Sequence, residues 1–382
     1  MIAKTKFATP YHSWSTGTLP KGCQLCVQGK KLVLFVTGQC TQRCWYCPVA
    51  EQKFGEDVAY ANEWRIQDPK NPIELIEEAE LTNAKGAGIT GGDPLTNIER
   101  SCTYIYKLKE KYGKEFHIHL YTPLRLVTTE KLTKLNDAGL DEIRFHLDLD
   151  DKSLWNRLNL AKAFTWDIGI EIPAIPGREE TIKEIIDFAV DKVDFINLNE
   201  LERSDTATAH YKLDEKRYTS KNKISYGVTG SESMTTTILN HARTRNLQAH
   251  FCTAKLKDKV QLLQRMLRRA DHISYSFDEK TKDGTLIRGC AYLPNLTPGF
   301  GYRKILATTD TKHYLRTLNN LLSQIRDICD GQAEIDTTKC RFILPKKIIR
   351  KKANMIKKLR LIPAIVEEYP THDALELDIQ FL

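Results

Sequence analysis

The pattern of hydrophobic and polar residues between residue 31 and about residue 202 switches repeatedly between a strand-like and a helix-like period. Short apolar or alternating runs predict strands, and the longer stretches between them repeat apolar residues every three or four positions, as helices do. The predicted strands are Leu32–Val36, Ala87–Thr90, Phe116–Tyr121, Glu142–Leu147, Asp167–Ile175 and Phe195–Leu198. The predicted helices are Pro72–Lys85, Ile98–Tyr112, Glu130–Ala138 and Ile182–Val190. Such an α/β alternation predicts a parallel sheet with right-handed crossovers, either a flat doubly wound sheet or a curved open barrel.

The alternation fades after residue 202, so the chain is divided at that point. The elements predicted beyond it are a loop or lid Ser204–Asn222, helix Ser233–Thr244, strand Gln248–Cys252, basic helix Lys259–Ala270, strand Ile273–Phe277, a turn-rich stretch Gly289–Gly301 and a final strand Ala374–Leu382. We predict four parts: an N-terminal extension with a Cys-x2-Cys pair (1–30), a core (31–202), a capping or auxiliary region (203–300) and a small basic α+β domain (301–382).

The composition is that of a soluble globular protein. The chain has 382 residues, of which 41% are hydrophobic and 28% are charged. No apolar run approaches the roughly 18 residues of a membrane span, and no signal sequence is recognised, so we expect no membrane association and a cytoplasmic location. Ten cysteines in that compartment indicate metal or redox chemistry rather than disulfides.

The net charge of +8 is unevenly distributed. Lysines and arginines are concentrated in the stretch Lys346–Arg360, where interleaved apolar residues predict an amphipathic helix. Such a face could bind RNA, for example tRNA or rRNA. A solvated face is the commoner explanation for a basic helix, and the sequence leaves both interpretations open.

Three cysteines follow the first predicted strand, at Cys40, Cys44 and Cys47. A helix that buried all three is disfavoured by the preceding Gly38 and the following Pro48. Zinc would normally take four ligands in paired spacing. The Cys-x3-Cys-x2-Cys spacing favours a [4Fe–4S] cluster that is held by three thiolates, with its fourth iron open to another ligand.

The cysteine motif, with Tyr46 inside it, resembles the signature of the radical S-adenosylmethionine (SAM) superfamily. Gly91-Gly92-Asp93-Pro94 resembles the Gly-Gly-Glu-Pro motif of that superfamily, with aspartate in place of glutamate. Longer segments around Cys23, Gly91 and His119 are similar to uncharacterised members related to pyruvate formate-lyase activating enzyme. The resemblance implies a partial (β/α)6 TIM-like barrel and SAM bound to the open iron. It also implies a reductant such as ferredoxin or flavodoxin, and a 5′-deoxyadenosyl radical that abstracts hydrogen from a substrate.

The cofactor-binding residues expected from the resemblance and from strand-end positions lie at the carboxyl edge of the sheet, where α/β folds bind ligands. They are Tyr46, Gly91, Gly92, Asp93, Thr122, His146 and Glu171. The glycines would let the backbone approach the cofactor, and Tyr46 would lie near the adenine. His117 and His119 share one face of a strand, and we expect a structural role for them rather than metal ligation.

A second group of cysteines is a candidate metal site. Cys23 and Cys26 form a Cys-x2-Cys pair, and Cys252, with His250 two residues before it, lies at a strand end. Together they predict an auxiliary iron–sulfur cluster or a zinc site. Cys102, Cys290, Cys329 and Cys340 lack ligand spacing and are expected to be buried thiols, although Cys290 is a possible fourth ligand.

The leading hypothesis is therefore a radical SAM enzyme that modifies RNA, a protein or a metabolite. The alternative is a non-catalytic protein, either an iron–sulfur electron carrier or a structural or RNA-binding module. The sequence points to no catalytic residue, substrate or oligomeric state.

Overall fold

The structure is a computed structural model that describes residues 7–382. It contains two compact units, the first ending at Arg265 and the second spanning Met266–Leu382. The fold is the α/β class that the sequence predicts. The finer division into four parts stays a prediction.

The first unit is built on a ten-stranded sheet in the order β1-β10-β9-β8-β7-β6-β5-β2-β3-β4. The strands are β1 (Trp14–Ser15), β2 (Lys31–Phe35), β3 (Tyr60–Ala61), β4 (Trp64–Arg65), β5 (Gly86–Thr90), β6 (His117–Pro123), β7 (Glu142–His146), β8 (Asp167–Ala174), β9 (Phe195–Glu200) and β10 (Gln248–Cys252). The seven strands from β10 to β2 in this order are all parallel to their neighbours. Strands β1, β3 and β4 add antiparallel at the two ends, and the sheet does not close.

All six predicted strands are present, and β10 makes a seventh parallel one. The sequence predicts β10 as a strand of the capping region, but it pairs with β9 over its whole length. The helices of this unit are α1 (Lys21–Val27), α2 (Ile73–Leu81), α3 (Ile98–Tyr112), α4 (Thr129–Ala138), α5 (Glu179–Ala189), α6 (Thr235–Thr244) and α7 (Ala254–Leu256). A π-helical turn, Lys257–Leu262, then leads into α8 (Leu263–Ile273), which contains the boundary between the units.

The parallel strands have one apolar and one polar face. Side chains alternate along a strand, and the apolar set belongs to the main hydrophobic core of the first unit: Leu32, Leu34, Ala87, Ile89, Ile118, Leu120, Ile143, Phe145, Ile170, Ile172, Ile196, Leu198, Ala249 and Phe251. The other set is polar and includes Lys31, His119, Glu142, Arg144, Glu171, Asn197, Asn199 and His250. The interior of the open barrel is therefore polar, although most of these side chains are buried.

Helix α1 packs closely against this polar face. The Gly22 amide donates to Glu142 Oε2 at 3.2 Å. A Cβ at Gly22 would lie 2.3 Å from His119 Nδ1 and 2.6 Å from an Arg144 guanidinium nitrogen. Glycine at this position therefore lets α1 approach the barrel interior, with Cys23 and Cys26 on the same helix.

The second unit is an antiparallel sheet with three helices. Its strands are β11 (Glu279–Lys280), β12 (Leu286–Tyr292), β13 (Glu334–Asp336), β14 (Arg341–Leu344), β15 (Ile362–Glu368) and β16 (Glu376–Phe381), in the order β13-β14-β12-β15-β16 with β11 beside β12. Its helices are α9 (Tyr302–Thr308), α10 (Thr311–Ile328) and α11 (Lys346–Lys358). The predicted amphipathic helix and the predicted final strand are confirmed by α11 and β16.

Two predictions for this unit are wrong. The stretch Ile273–Phe277 is the end of α8 followed by a turn, and Gly289 lies inside the central strand β12 rather than in a turn. Gly289 suggested a turn because glycine weakens strands. Its lack of a side chain instead makes room for α11, since a Cβ there would lie 2.7 Å from Ile349 Cγ2.

The cysteines without ligand spacing lie in several environments. Cys290, Cys329 and Cys340 are buried in the second unit, and Cys102 on α3 is half-buried. Within residues 7–382, no helix is both long and apolar enough to cross a membrane.

The close packing of α1 makes a stability prediction. We expect Gly22→Ala to destabilise the protein by about 1–3 kcal/mol, because the new methyl group overlaps hydrogen-bonded, buried side chains. Gly17→Ala is the matched control, since a Cβ there meets nothing closer than 3.8 Å. Urea denaturation midpoints of the two metal-free variants test this, and equal midpoints would contradict it.

Candidate functional site

The loop that carries Cys40, Cys44 and Cys47 is closed on itself by backbone hydrogen bonds. The Gly38 amide donates to Glu56 O at 2.8 Å, and the Gly55 amide donates to Gly38 O at 2.8 Å. A Cβ at Gly38 would lie 1.5 Å from Lys53 O, so only glycine fits. The three thiols are free and half-buried, and they line one cavity of about 170 Å³.

Gly91 and Gly92 line the same cavity and pack against the segment that leads to Cys40. The Gly92 amide donates to Thr37 O at 2.7 Å, and the Asp93 amide donates to Gln39 O at 2.8 Å. A Cβ would lie 2.4 Å from Thr37 O at Gly91 and 2.3 Å from Gln39 O at Gly92. These glycines therefore let their own backbone approach the backbone of Thr37 and Gln39. This contact holds the cysteine loop on the sheet.

Asp93 is fully buried behind this wall. Its Oδ1 accepts from the Leu95 amide at 3.0 Å, which caps a 3₁₀ turn, and from Thr122 Oγ1 at 2.9 Å. Its Oδ2 is buried without a hydrogen-bond partner. Burial raises the pKa of the Asp93 carboxyl to about 6. Thr122 itself lines the cavity.

Tyr46 and His146 form a hydrogen-bonded pair that also lines the cavity. Tyr46 Oη lies 2.9 Å from His146 Nε2, and His146 Nδ1 lies 3.1 Å from the backbone oxygen of Glu171. Because a carbonyl only accepts, the His146 Nδ1–H donates to it, and Nε2 accepts from the Tyr46 hydroxyl. Burial lowers the pKa of His146, which is consistent with this neutral tautomer.

A second cavity, of about 350 Å³, brings together the other predicted cysteines. Cys23 and Cys26 from α1 and Cys252 from β10 all line it. Glu171, which we expected near the cofactor, directs its carboxylate here, and only its backbone oxygen contacts His146. Thr90 and Tyr121 line both cavities, which are therefore neighbours.

Paired charges surround the second cavity. Arg144 donates to Glu142 at 2.5 Å and to Glu171 at 2.7 Å, and it lies 3.5 Å from Cys23 Sγ. Burial would raise the pKa of Glu142, but Arg144 together with His117, His119 and Lys31 outweighs burial and holds that pKa well below its usual range. Lys31 contacts His119 Nδ1, and burial lowers the pKa of Lys31 to about 8.

The thiols of both cavities are neutral in this metal-free environment. Burial raises the pKa of Cys23 to about 12 and that of Cys44 to about 12, and it raises the pKa values of Cys26, Cys40, Cys47 and Cys252. A bound metal reverses this preference, because the thiolate is the ligand.

The cysteine sulfurs of the two cavities are not closely spaced. Within the described residues, the one group of three His, Cys, Asp or Glu ligand atoms that lie within 4.8 Å of one another is His117, His119 and Glu142. Tetrahedral zinc–sulfur bonds of about 2.3 Å place ligand sulfurs about 3.8 Å apart. Neither cysteine triad is that compact, so either would have to move together to hold one zinc ion.

The compact group itself does not resemble a metal site. Glu142 already accepts from Arg144 and from the Gly22 amide, and Lys31 contacts His119. Two buried cations beside the ligand atoms oppose a third positive charge. Glu142 and Arg144 form an ion pair beside the two histidines, and a structural role for His117 and His119 stays a prediction.

Sequence reasoning missed Lys31, Arg144 and Lys257, which also line the second cavity. The signal was in the strands themselves, since polar residues occupy every second position of His117–Tyr121 and Glu142–His146. In a sheet covered by helices, such a polar face must line a cavity.

Comparison with known proteins identifies the family. The family model "Radical SAM superfamily" matches residues 34–189. The protein named "Putative glycyl-radical enzyme activating enzyme", from Methanocaldococcus jannaschii, is 39% identical over 287 residues, which cover 72% of this chain and 74% of that protein. The chain belongs to the radical SAM superfamily.

Other relatives match less of the chain. A GTP 3′,8-cyclase of Staphylococcus aureus is 34% identical over 138 residues, which are 34% of this chain and 37% of the cyclase. The solved structure of HydG, a maturase of the [FeFe]-hydrogenase, is 13% identical with a TM-score of 0.39, and the match covers 88% of this chain and 81% of HydG.

The protein is therefore a radical SAM enzyme, and its family uses a [4Fe–4S] cluster and SAM. This favours the enzyme over the non-catalytic alternative. The placement of Cys40, Cys44 and Cys47 around one cavity, with Gly91 and Gly92 in its wall, fits these cofactors.

The raised pKa of Asp93 makes a pH prediction. The folded state holds the Asp93 proton more tightly than the unfolded chain, whose pKa is 3.8. The stability of the wild-type protein relative to Asp93→Asn should therefore fall as pH rises from about 4 to about 6, by on the order of 2–3 kcal/mol, and then level off.

Urea denaturation of the metal-free proteins from pH 4 to 8 measures this difference. Asp57→Asn is the control, because hydrogen bonding to Arg100 lowers the pKa of Asp57, so its effect should be constant over that range. A pH-independent difference for Asp93→Asn would contradict the prediction.

Proposed function

We propose that this radical SAM enzyme is an activating enzyme that abstracts hydrogen from a glycine residue of a partner protein. The observation that carries this proposal is the similarity to the M. jannaschii protein, which extends over about three quarters of both chains. The match continues well beyond residues 34–189, so it involves more than the part common to the superfamily.

We assign the cluster to Cys40, Cys44 and Cys47 and the SAM site to the cavity they line. When bound, the cluster and SAM supply a reductive cleavage of the sulfonium, which yields an organic radical that abstracts hydrogen. Gly91 and Gly92 form one wall of this cavity, and Tyr46 is held by His146 on another. The Thr122 hydroxyl holds Asp93 by donating a hydrogen bond to its Oδ1. Their role is to position the cofactor and to exclude water.

Glu171 is assigned to the second cavity instead of the SAM site, because its carboxylate bonds Arg144 and Asn199 there. We propose that Cys23, Cys26 and Cys252, which line that cavity, hold a second metal centre. Reductive cleavage also needs a one-electron donor, and we propose ferredoxin or flavodoxin for this role.

The first cavity leaves little room for a substrate beside the cofactors. Small-molecule sites usually measure about 300–1,000 Å³, whereas this cavity measures about 170 Å³. A substrate that approaches from outside, such as a segment of a partner protein, is compatible with this size. In the described residues, the lysines of α11 are largely exposed, which suits a solvated basic face as well as an RNA-binding one. RNA binding through Lys346–Arg360 stays a prediction of the sequence.

A deuterium-transfer experiment that identifies the origin of the abstracted hydrogen tests this proposal. The reduced protein is incubated anaerobically with SAM and with extract from source-organism cells grown on glycine deuterated at Cα. We expect deuterium in 5′-deoxyadenosine and a glycyl-radical signal in electron paramagnetic resonance (EPR), both sensitive to protease and insensitive to ribonuclease.

Cys44→Ala should abolish both signals, because the cluster loses a ligand. Cys102→Ala, a thiol on α3 outside either cavity, should retain them. Label transfer that survives protease treatment, or that ribonuclease removes, would exclude a protein substrate and overturn the proposal.

A further inference from the structure

His250 has an unpartnered nitrogen in the second cavity. The residue is 2% exposed and lines the cavity together with Cys23, Cys26 and Cys252. Its Nε2 is buried and has no hydrogen-bond partner. An imidazole nitrogen without a partner is costly to bury, and a ligand is the usual compensation.

The other ring nitrogen fixes the orientation of the imidazole. His250 Nδ1 lies 2.6 Å from Asn197 Oδ1. Because this amide oxygen accepts, Nδ1 carries the proton, and Nε2 presents its lone pair. Metal-ligating histidines typically donate their second N–H to a fixed acceptor in this way.

The four candidate ligands form two pairs, one on a helix and one on a strand. Cys23 and Cys26 are three residues apart on α1, and side chains at that spacing share a helix face. His250 and Cys252 are two residues apart on β10, so they share the inner face of the strand, while Phe251 between them packs into the hydrophobic core. No backbone rearrangement is needed for both pairs to line one cavity.

The charges around the cavity suit an anionic centre. Lys31, Arg144 and Lys257 line it; Arg144 is paired with Glu142 and Glu171, and Lys257 is paired with Glu202. Thiolates would carry negative charge into this buried space, where nearby cations stabilise the charged form. Arg144, 3.5 Å from Cys23 Sγ, also supplies an N–H to a ligand sulfur, a contact that tunes iron–sulfur clusters.

We propose that this second cavity binds an iron–sulfur cluster through Cys23, Cys26, Cys252 and His250. Zinc is disfavoured because these ligand atoms do not form a group within 4.8 Å of one another. Cys290, the fourth ligand considered from the sequence, belongs to the second unit and is buried with Tyr292, Ala364 and Val366. The inference specifies the second metal centre proposed above and does not depend on the identity of the substrate.

The test removes the first cluster and examines what remains. In a Cys40→Ala/Cys44→Ala/Cys47→Ala protein, reconstituted anaerobically with iron and sulfide, we expect iron and acid-labile sulfide in equal amounts. The reduced cluster should show hyperfine coupling to an imidazole nitrogen in pulsed EPR.

His250→Cys in that background should retain the cluster, lose the nitrogen coupling and lower the reduction potential, because histidine ligands raise it. Cys290→Ala is the control and should leave iron content and coupling unchanged. Zinc without iron, a Cys23–Cys26 disulfide without metal, or a cluster that lacks nitrogen coupling would each overturn the proposal. None of these measurements uses SAM cleavage or a partner, so a failed glycine-label experiment would not affect them.

Discussion

Arg144 is a fully buried cation at the centre of the parallel sheet, and the barrel interior depends on the carboxylates that neutralise it. Glu142 and Glu171 accept from different guanidinium nitrogens, and Glu142 also anchors α1 through the Gly22 amide. Removing one partner of a buried ion pair typically costs about 3–5 kcal/mol. The same network therefore places the helix that carries Cys23 and Cys26 and holds the charge of the cavity they line.

The two cavities are arranged so that one strand serves both. Tyr121 on β6 lines both, and the next residue, Thr122, lines the first cavity and supports Asp93. Tyr121 Oη and His119 Nε2 share a hydrogen bond of 2.7 Å, which ties the shared wall to the ion-pair network. A redox centre in the second cavity would thus be separated from the first by a wall of side chains rather than by a layer of solvent.

Much of the first unit could be predicted from sequence because its determinants are local. The six predicted strands have continuous or alternating apolar residues, and the Cys40–Cys47 spacing is contained in one loop. The convergence of Cys40, Gly91, Thr122 and His146 follows from parallel strands, whose carboxyl ends meet at one edge. The prediction for Glu171 rested on its position near a strand end, which does not show that its carboxylate and its backbone oxygen point to different cavities.

What could not be predicted depends on contacts between distant segments. The packing of α1 into the interior requires Gly22 to meet residues on β6 and β7, about a hundred positions away in sequence. Strand β12 was not predicted because glycine at position 289 suggests a turn by propensity. In the structure, the close packing of Gly289 against Ile349 favours glycine within the strand. Tertiary packing overrides propensity at such positions.

Glu171 shows how the two sites are connected. Its backbone oxygen accepts from His146 Nδ1 and so sets the tautomer in which Nε2 can hold the Tyr46 hydroxyl, while its carboxylate neutralises Arg144 in the other cavity. The first function uses only the main chain, which β8 holds by pairing with its neighbours. A change of charge in the second cavity can therefore act on Arg144 and the cysteines without releasing Tyr46. The Glu171 carboxylate responds to such a change, whereas its backbone oxygen is held in place by strand pairing.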